Sequence, residues 1–193
     1  MKYLYKEQLS CEILMIIRRK KAKKQRAGTK VRHKRGARPM RASALTMIVS
    51  ILVSCSSFDA GSSKKGLPAE VPPVPSGQEM EAARTAFETG NFGFAARYFD
   101  MAMTEEPGNI DACLGLAASY DWLYRFDLSD PVYKACGELS DDSFLYHNNV
   151  GFSYLLRGEL GRASASFAQA RALEPNHPVI ETNLKVLRDV SDG

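Results

Sequence analysis

Past residue 76 the apolar positions recur at helical spacing, and the pattern repeats itself. "EMEAARTAFETGNFGFAARYFDMAMTEEPGN" aligns with "HNNVGFSYLLRGELGRASASFAQARALEPNH", pairing Gly90 with Gly158, Ala95 with Ala163, Phe99 with Phe167, Ala102 with Ala170 and Pro107 with Pro175. All five pairs share one offset, which is twice a period of about 34. Within each copy two runs with apolar residues at three- and four-residue steps flank a glycine, and a proline follows the second run. This predicts a pair of antiparallel helices, with the glycine in the turn and the proline ending the second helix. The stretch between the two copies keeps the length, so three units of equal size are expected, 76–109, 110–143 and 144–177. A last amphipathic run, "NHPVIETNLKVLRDV", predicts one more helix over 178–193. Pro178 lies in its first turn, and Val179, Ile180, Leu184, Leu187 and Val190 lie on roughly one face.

With Phe144 as position 1, Val150, Gly151 and Tyr154 fall at positions 7, 8 and 11, and Ala163, Phe167, Ala170 and Pro175 at positions 20, 24, 27 and 32. These positions and the period resemble the tetratricopeptide repeat. The resemblance implies an all-α fold, a short solenoid of three helix-turn-helix units closed by a capping helix. Gly151, Ala163 and Ala170 would let the paired helices approach closely, with Tyr154 and Phe167 filling the space beside the crossing. The middle unit departs from the pattern. Ser129 stands where the repeat has alanine, Asp141 where it has proline, and Pro131 lies where the second helix should already be running. The expectation is a second helix that starts late, capped near Ser129 or Asp130, with Trp122 and Phe126 in a lengthened turn.

The most apolar run, "LTMIVSILVSCSS", lies ahead of the repeats. Its core of about 10 residues, interrupted only by Thr46 and Ser50, is too short to span a bilayer, which takes roughly 20. It has the proportions of a secretory leader that begins at Met40 and Arg41. Leu52-Val53-Ser54-Cys55 resembles the lipobox of bacterial lipoproteins, which implies a signal peptide over 40–54 and a lipid on the Cys55 thiol. Residues 55–75, rich in Ser, Gly and Pro, read as a flexible linker that buries no core. Charge is strongly segregated. Residues 1–41 carry fifteen Lys and Arg against two Glu, about +13, which leaves about −9 for the remainder of a chain whose formal total is +4. Residues 1–39 read as upstream sequence from an early start assignment, as an unusually long n-region of a real precursor, or as a basic arm suited to nucleic-acid phosphates.

No catalytic constellation is expected, and no metal site. His33, His147 and His177 are the only histidines, and none has Cys or carboxylates at ligand spacing. No cofactor is implied beyond the covalent lipid at Cys55. Cys113 near the start of a first helix and Cys136 near the end of its partner can face each other, which leaves two readings: a disulfide, or two small buried residues. If the repeats bind a peptide, the groove would be lined by first-helix positions, among them Arg84, Asp121, Trp122, Asn148, Asn149, Phe152 and Leu156, with Asn183 in the cap. Asparagines there would hydrogen-bond a peptide backbone while Phe152 and Leu156 make apolar contact.

Lipobox, linker and repeats together resemble the TadD family of Flp pilus assembly lipoproteins. That resemblance implies a non-catalytic scaffold on the bacterial outer membrane, facing the periplasm, whose partners are secretin or pilus assembly components. The alternatives are a lipoprotein adaptor for outer-membrane protein or cell-wall assembly, and a cytoplasmic adaptor whose basic arm binds nucleic acid.

Overall fold

The structure is a computed structural model that describes residues 67–140 and 142–192. The basic arm, the leader and Cys55 lie outside the described residues. Seven helices follow one another: α1 (Glu79–Glu88), α2 (Phe92–Glu105), α3 (Ile110–Trp122), α4 (Phe126–Ser140), α5 (Phe144–Arg157), α6 (Leu160–Leu173) and α7 (Pro178–Asp192). They form three hairpins, α1/α2, α3/α4 and α5/α6, with α7 lying against α6 and α5. No strand occurs among the described residues, and none of their helices is long and apolar enough to cross a membrane.

All three hairpins turn in the same way. The backbone N–H groups of Asn91, Arg125 and Glu159 donate to the carbonyls of Ala86, Tyr120 and Tyr154, at 2.8, 2.9 and 2.9 Å. This bond, from each residue back to the fifth before it, closes the helix, and the residue just before the donor is left-handed. Gly90 and Gly158 supply that conformation at φ 76° and 78°, and Tyr124 adopts it at φ 56° in the same register of the middle unit. A side chain with a Cβ disfavours this region. The repeat geometry therefore holds at Tyr124 against local preference.

The helices interlock through aromatic rings seated on glycines. A Cβ on Gly151 would lie 2.7 Å from two ring atoms of Phe167, and a Cβ on Gly115 would lie 2.5 Å from two ring atoms of Phe99. Both rings are fully enclosed. Around Phe99 pack Ala83, Ala86, Ala95, Ala102 and Leu116, and around Phe167 pack Leu155, Leu156, Ala163, Val186 and Val190. The small residues of α1 thus serve to bring α2 close. Helix α3 lies at the centre of the array and is buried at every residue from Ala112 to Ser119. Its composition, apolar on all sides, is what such a position demands.

The linker expectation needs correction over its last residues. Residues 67–75 do not stand off the fold. Leu67, Val71 and Val74 pack against the core of the first hairpin. Tyr98 donates its hydroxyl to the Pro72 carbonyl at 2.7 Å, and Arg97 reaches the Ala69 carbonyl at 3.5 Å. A Cβ on Gly93 would stand 3.0 Å from the Pro68 ring. A segment with prolines at 68, 72, 73 and 75 is already extended before it docks, so docking costs it less entropy than an ordinary loop. It covers an end of the array that a preceding repeat would otherwise cover. Tyr98→Phe should weaken this strap by about 1 kcal/mol, roughly five-fold in local opening. Limited proteolysis should then cut within residues 67–76 sooner, while the unfolding midpoint of the helices barely moves.

The middle hairpin also differs from expectation. Helix α4 begins at Phe126, ahead of Ser129 and Asp130, and Pro131 lies inside it. Trp122 ends α3, and Phe126 opens α4, so neither lies in a lengthened turn. Pro131 is the sixth residue of the helix and forfeits only one bond, to the Asp127 carbonyl. Local contacts outweigh that loss. The Arg125 carbonyl accepts from the N–H groups of Leu128 and Ser129 at 2.9 and 3.0 Å, and the Arg125 guanidinium grips both Asp127 oxygens at 2.8 and 2.7 Å. The Phe126 ring packs under the Arg157 guanidinium, 4.5 Å from its centroid.

Candidate peptide-binding face and the polar core beside it

The residues expected to line a groove divide into two groups. Asn148, Asn149, Phe152, Leu156 and Asn183 are buried, with exposures of 2, 6, 3, 1 and 1 %. They do not present a groove. Helix α7 lays Val186, Leu187 and Val190 over Phe152 and Leu156. The asparagines bond one another: Asn183 Nδ2 donates to Asn148 Oδ1 at 2.9 Å, and Asn148 Nδ2 to Asn149 Oδ1 at 3.4 Å. Their amides thus join the capping helix to α5, satisfying buried polar groups that would otherwise oppose packing.

Arg84 and Trp122 remain partly accessible. The Arg84 guanidinium lies 3.5 Å from Asp111 across the junction of the first two hairpins, both side chains more than a third exposed. At that exposure the ion pair adds little stability, so it can exchange partners at low cost. The Trp122 indole stacks on Phe92 at 5.2 Å between centroids, nearly parallel, with Phe152 at 5.9 Å on another side. Its Nε1–H is enclosed and has no hydrogen-bond partner among the described residues. Phe87 continues the row, edge-on to Phe92 at 5.1 Å. What stays partly accessible beside the expected face is Trp122 stacked on Phe92, with the exchangeable Arg84 near the junction of the first two hairpins, while Phe87 is buried.

Asp121, expected on the same face, lies inside the molecule, 1 % exposed. Its Oδ1 accepts from the Ser129 hydroxyl at 2.7 Å and the Ser153 hydroxyl at 2.9 Å, and its Oδ2 from the Tyr133 hydroxyl at 2.9 Å. Burial pushes its carboxyl above the usual range, opposed by these three hydroxyls and by the nearby Arg157 charge. Arg157 in turn donates to Ser153 Oγ at 3.0 Å and to both carboxylate oxygens of Asp130. Three helices meet in this network: α3 supplies Asp121, α4 supplies Ser129, Asp130 and Tyr133, and α5 supplies Ser153 and Arg157. The backbones of α4 and α5 approach each other much less than those of α2 and α3. The network joins the second and third hairpins where their backbones approach over few positions.

Sequence reasoning passed over this site, though a signal was there. Ser129 replaces the small apolar residue of the pattern, and Asp121 interrupts a helix that is otherwise apolar nearly all round. A polar substitution at a crossing position together with a carboxylate one helix away marks a buried pair.

Cys113 and Cys136, both fully buried, are joined in the structure as a disulfide, with Cα atoms 5.7 Å apart. It ties the start of α3 to the end of α4, opposite the end held by Asp121. His177 caps α7, its Nδ1 accepting from the Val179 N–H at 3.3 Å, and it stacks on Phe144 at 4.5 Å. His147 lies edge-on to Tyr146 at 5.2 Å. No group of three or more His, Cys, Asp and Glu suited to a metal ion occurs among the described residues.

No protein-family model matches the chain, and no curated protein matches it. Solved structures do. The first tetratricopeptide-repeat domain of human RPAP3 superposes with a TM-score of 0.53 at 17% identity, over 60% of this chain and 91% of that one. The repeat domain of Arabidopsis OM64 gives 0.51 at 18%, over 57% and 92%. The Yersinia enterocolitica type III secretion chaperone SycD, solved with a peptide of the translocator YopD, gives 0.50 at 19%, over 59% and 90%. The evenly repeated hairpins, the ring-on-glycine crossings and these superpositions establish the fold of this chain as a tetratricopeptide-repeat solenoid.

Proposed function

We propose that this protein is a non-catalytic scaffold that binds peptide or protein partners through its repeats while a lipid on Cys55 holds it at the periplasmic face of a bacterial outer membrane. The observation that carries the binding half is the partly accessible stack of Trp122 on Phe92 beside Arg84, at the edge of the face formed by first helices. Trp122 brings a broad, partly accessible ring suited to apolar contact with an extended peptide. Similar folds have been solved with peptides, the first repeat domain of Spaghetti (RPAP3) with an HSP90 peptide and SycD with a YopD peptide. The anchoring half rests on the leader and lipobox of residues 40–55. The pathway, assembly of a pilus or secretion system of the Flp type, rests on the combined order of lipobox, linker and repeats.

Two experiments test the halves separately. Palmitate should label the full chain and leave Cys55→Ser unlabelled; labelling that survives the substitution refutes the anchor. A photo-crosslinking residue at Trp122 should capture secretin or pilus components in cells, and one at the buried Phe152 should not. Equal capture at both positions, or at neither, rules out this face.

A further inference from the structure

The Cys113–Cys136 bridge is enclosed on all sides, and much of its cover comes from the third hairpin. Both cysteines have zero exposure. Met103, Ile110 and Val132 from α2, α3 and α4, and Leu145, Tyr146 and Val150 from α5, pack against the buried cluster that the cysteines form with Leu114, Ala117 and Tyr133. The Tyr146 ring lies directly on the backbone of α4 beside Cys136; a Cβ on Gly137 would stand 2.8 Å from its hydroxyl and 3.0 Å from its ring. The same α5 meets α4 over few backbone approaches and is joined there by the polar network of Asp121, Ser153, Asp130 and Arg157. A disulfide sits under a cover whose own attachment is the thinnest seam of the array.

Thiol–disulfide exchange needs room. One cysteine thiolate attacks a sulfur of the oxidant's disulfide, breaking that bond and freeing the oxidant's other thiol; the second cysteine thiolate then attacks the protein sulfur of the mixed disulfide, forms the bridge and expels the oxidant's remaining sulfur. Two protons and two electrons pass to the oxidant, which leaves as a dithiol if it is an oxidoreductase or as two thiols if it is a small disulfide. The in-line approach of a third sulfur cannot occur at a site with zero exposure. We propose that docking of α5 seals this bridge: a disulfide oxidant must act on the α3/α4 hairpin before the third hairpin closes over it. Once closed, the native array protects the bond from thiol reductants. The oxidant is identified only by class, a dithiol–disulfide oxidoreductase or a small disulfide such as oxidised glutathione. Local opening of α5, rather than global unfolding, then sets the rate at which the bond can be reached.

The test follows reduction of the full chain by dithiothreitol, with alkylation and mass measurement of the thiols released. The native chain should lose its bridge at least about 100-fold more slowly than the same chain in urea. Tyr146→Ala should speed native reduction about ten-fold or more while helix content stays unchanged, and Tyr146→Phe, which keeps the ring, should not. Should Tyr146→Ala fail to fold, Val150→Ala opens the same cover with a smaller loss. In the reverse direction, thiols of chain refolded under reducing conditions should oxidise slowly with oxidised glutathione. Native reduction as fast as in urea, or reduction unmoved by whichever folded cover variant is used, would overturn the proposal.

Discussion

Asp121→Ala is expected to lose about 3–5 kcal/mol of unfolding free energy, with a far smaller loss for Asp121→Asn. The carboxylate is the shared acceptor for Ser129, Tyr133 and Ser153, all buried. Alanine leaves these hydroxyls without it and removes a buried carboxyl near Arg157, which keeps its Asp130 partner. Each buried donor without a partner costs about 1–3 kcal/mol, though Ser153 keeps its bond from Arg157. Asparagine preserves the shape and one carbonyl oxygen, and the serine hydroxyls can rotate to accept from its amide. Replacing the whole set, with leucine at 121, alanine at 129 and 153 and phenylalanine at 133, should recover much of the loss because the hydroxyls that needed the carboxylate are gone and Arg157 keeps Asp130. Equilibrium urea unfolding measures all three.

The same group sets a pH dependence whose sign is fixed by its environment. Burial raises the folded-state pKa of Asp121 above its unfolded value of about 3.9, so the native chain binds the proton more tightly than the unfolded one. Its contribution is complete below the unfolded pKa and declines as pH rises through the folded pKa. The stability of the native chain relative to Asp121→Asn should therefore fall as pH is raised from about 4. A difference that rises with pH over that range would mean that the hydroxyls and Arg157 outweigh burial.

Phe167→Ala is the second large effect expected, about 3–5 kcal/mol. The ring is wholly enclosed and lies against Gly151, so truncation empties a space that the close approach of α5 and α6 cannot refill. Its counterpart is Gly151→Ala. A methyl there would lie 2.7 Å from the ring, and the expected overpacking of about 1–3 kcal/mol exceeds the helix-propensity gain of about 1 kcal/mol. Gly151→Ala combined with Phe167→Leu should cost less than the two single losses added, because the smaller side chain makes room for the methyl. Strict additivity would show that the glycine is not there for the ring. Since α7 packs on the same cluster, loss of the ring should also loosen the cap, seen as faster amide exchange at Ile180 to Val190.

These two sites differ in how far the sequence revealed them. Phe167, Gly158 and Pro175 carry their roles openly, since they recur as Phe99, Gly90 and Pro107, and Gly151 is matched in the first unit by the small Ala83. Each has one local use: a ring, a turn, a stop, a crossing. The hairpins and their order follow from that. The Asp121 network was not legible in the same way. Its members come from three helices, and a periodic pattern reports which face of one helix is apolar, not which neighbour covers it. Helix α4 shows the related limit. Pro131 argued for a late start, and the Arg125–Asp127 pair and the Arg157–Phe126 stack, one local and one from another repeat, settled it the other way.

The binding face gives the sharpest division. Helical position alone put Asn148, Asn149, Phe152, Leu156 and Asn183 on the face expected to take a peptide. Whether that side is open depends on the helix that follows, and here α7 lies over it and takes up the asparagine amides itself. The strap has the same lesson at the other end: its composition excludes a core of its own but not docking on one already built, and Tyr98 fixes it through a backbone carbonyl that any residue could offer. The number of hairpins, their turns and the small residues at their crossings could be read from the order of residues, because contacts within one repeat set them. Which surfaces stay exposed could be read only from the packed array, because exposure is fixed by the angle and reach of neighbouring elements, which no single helix records.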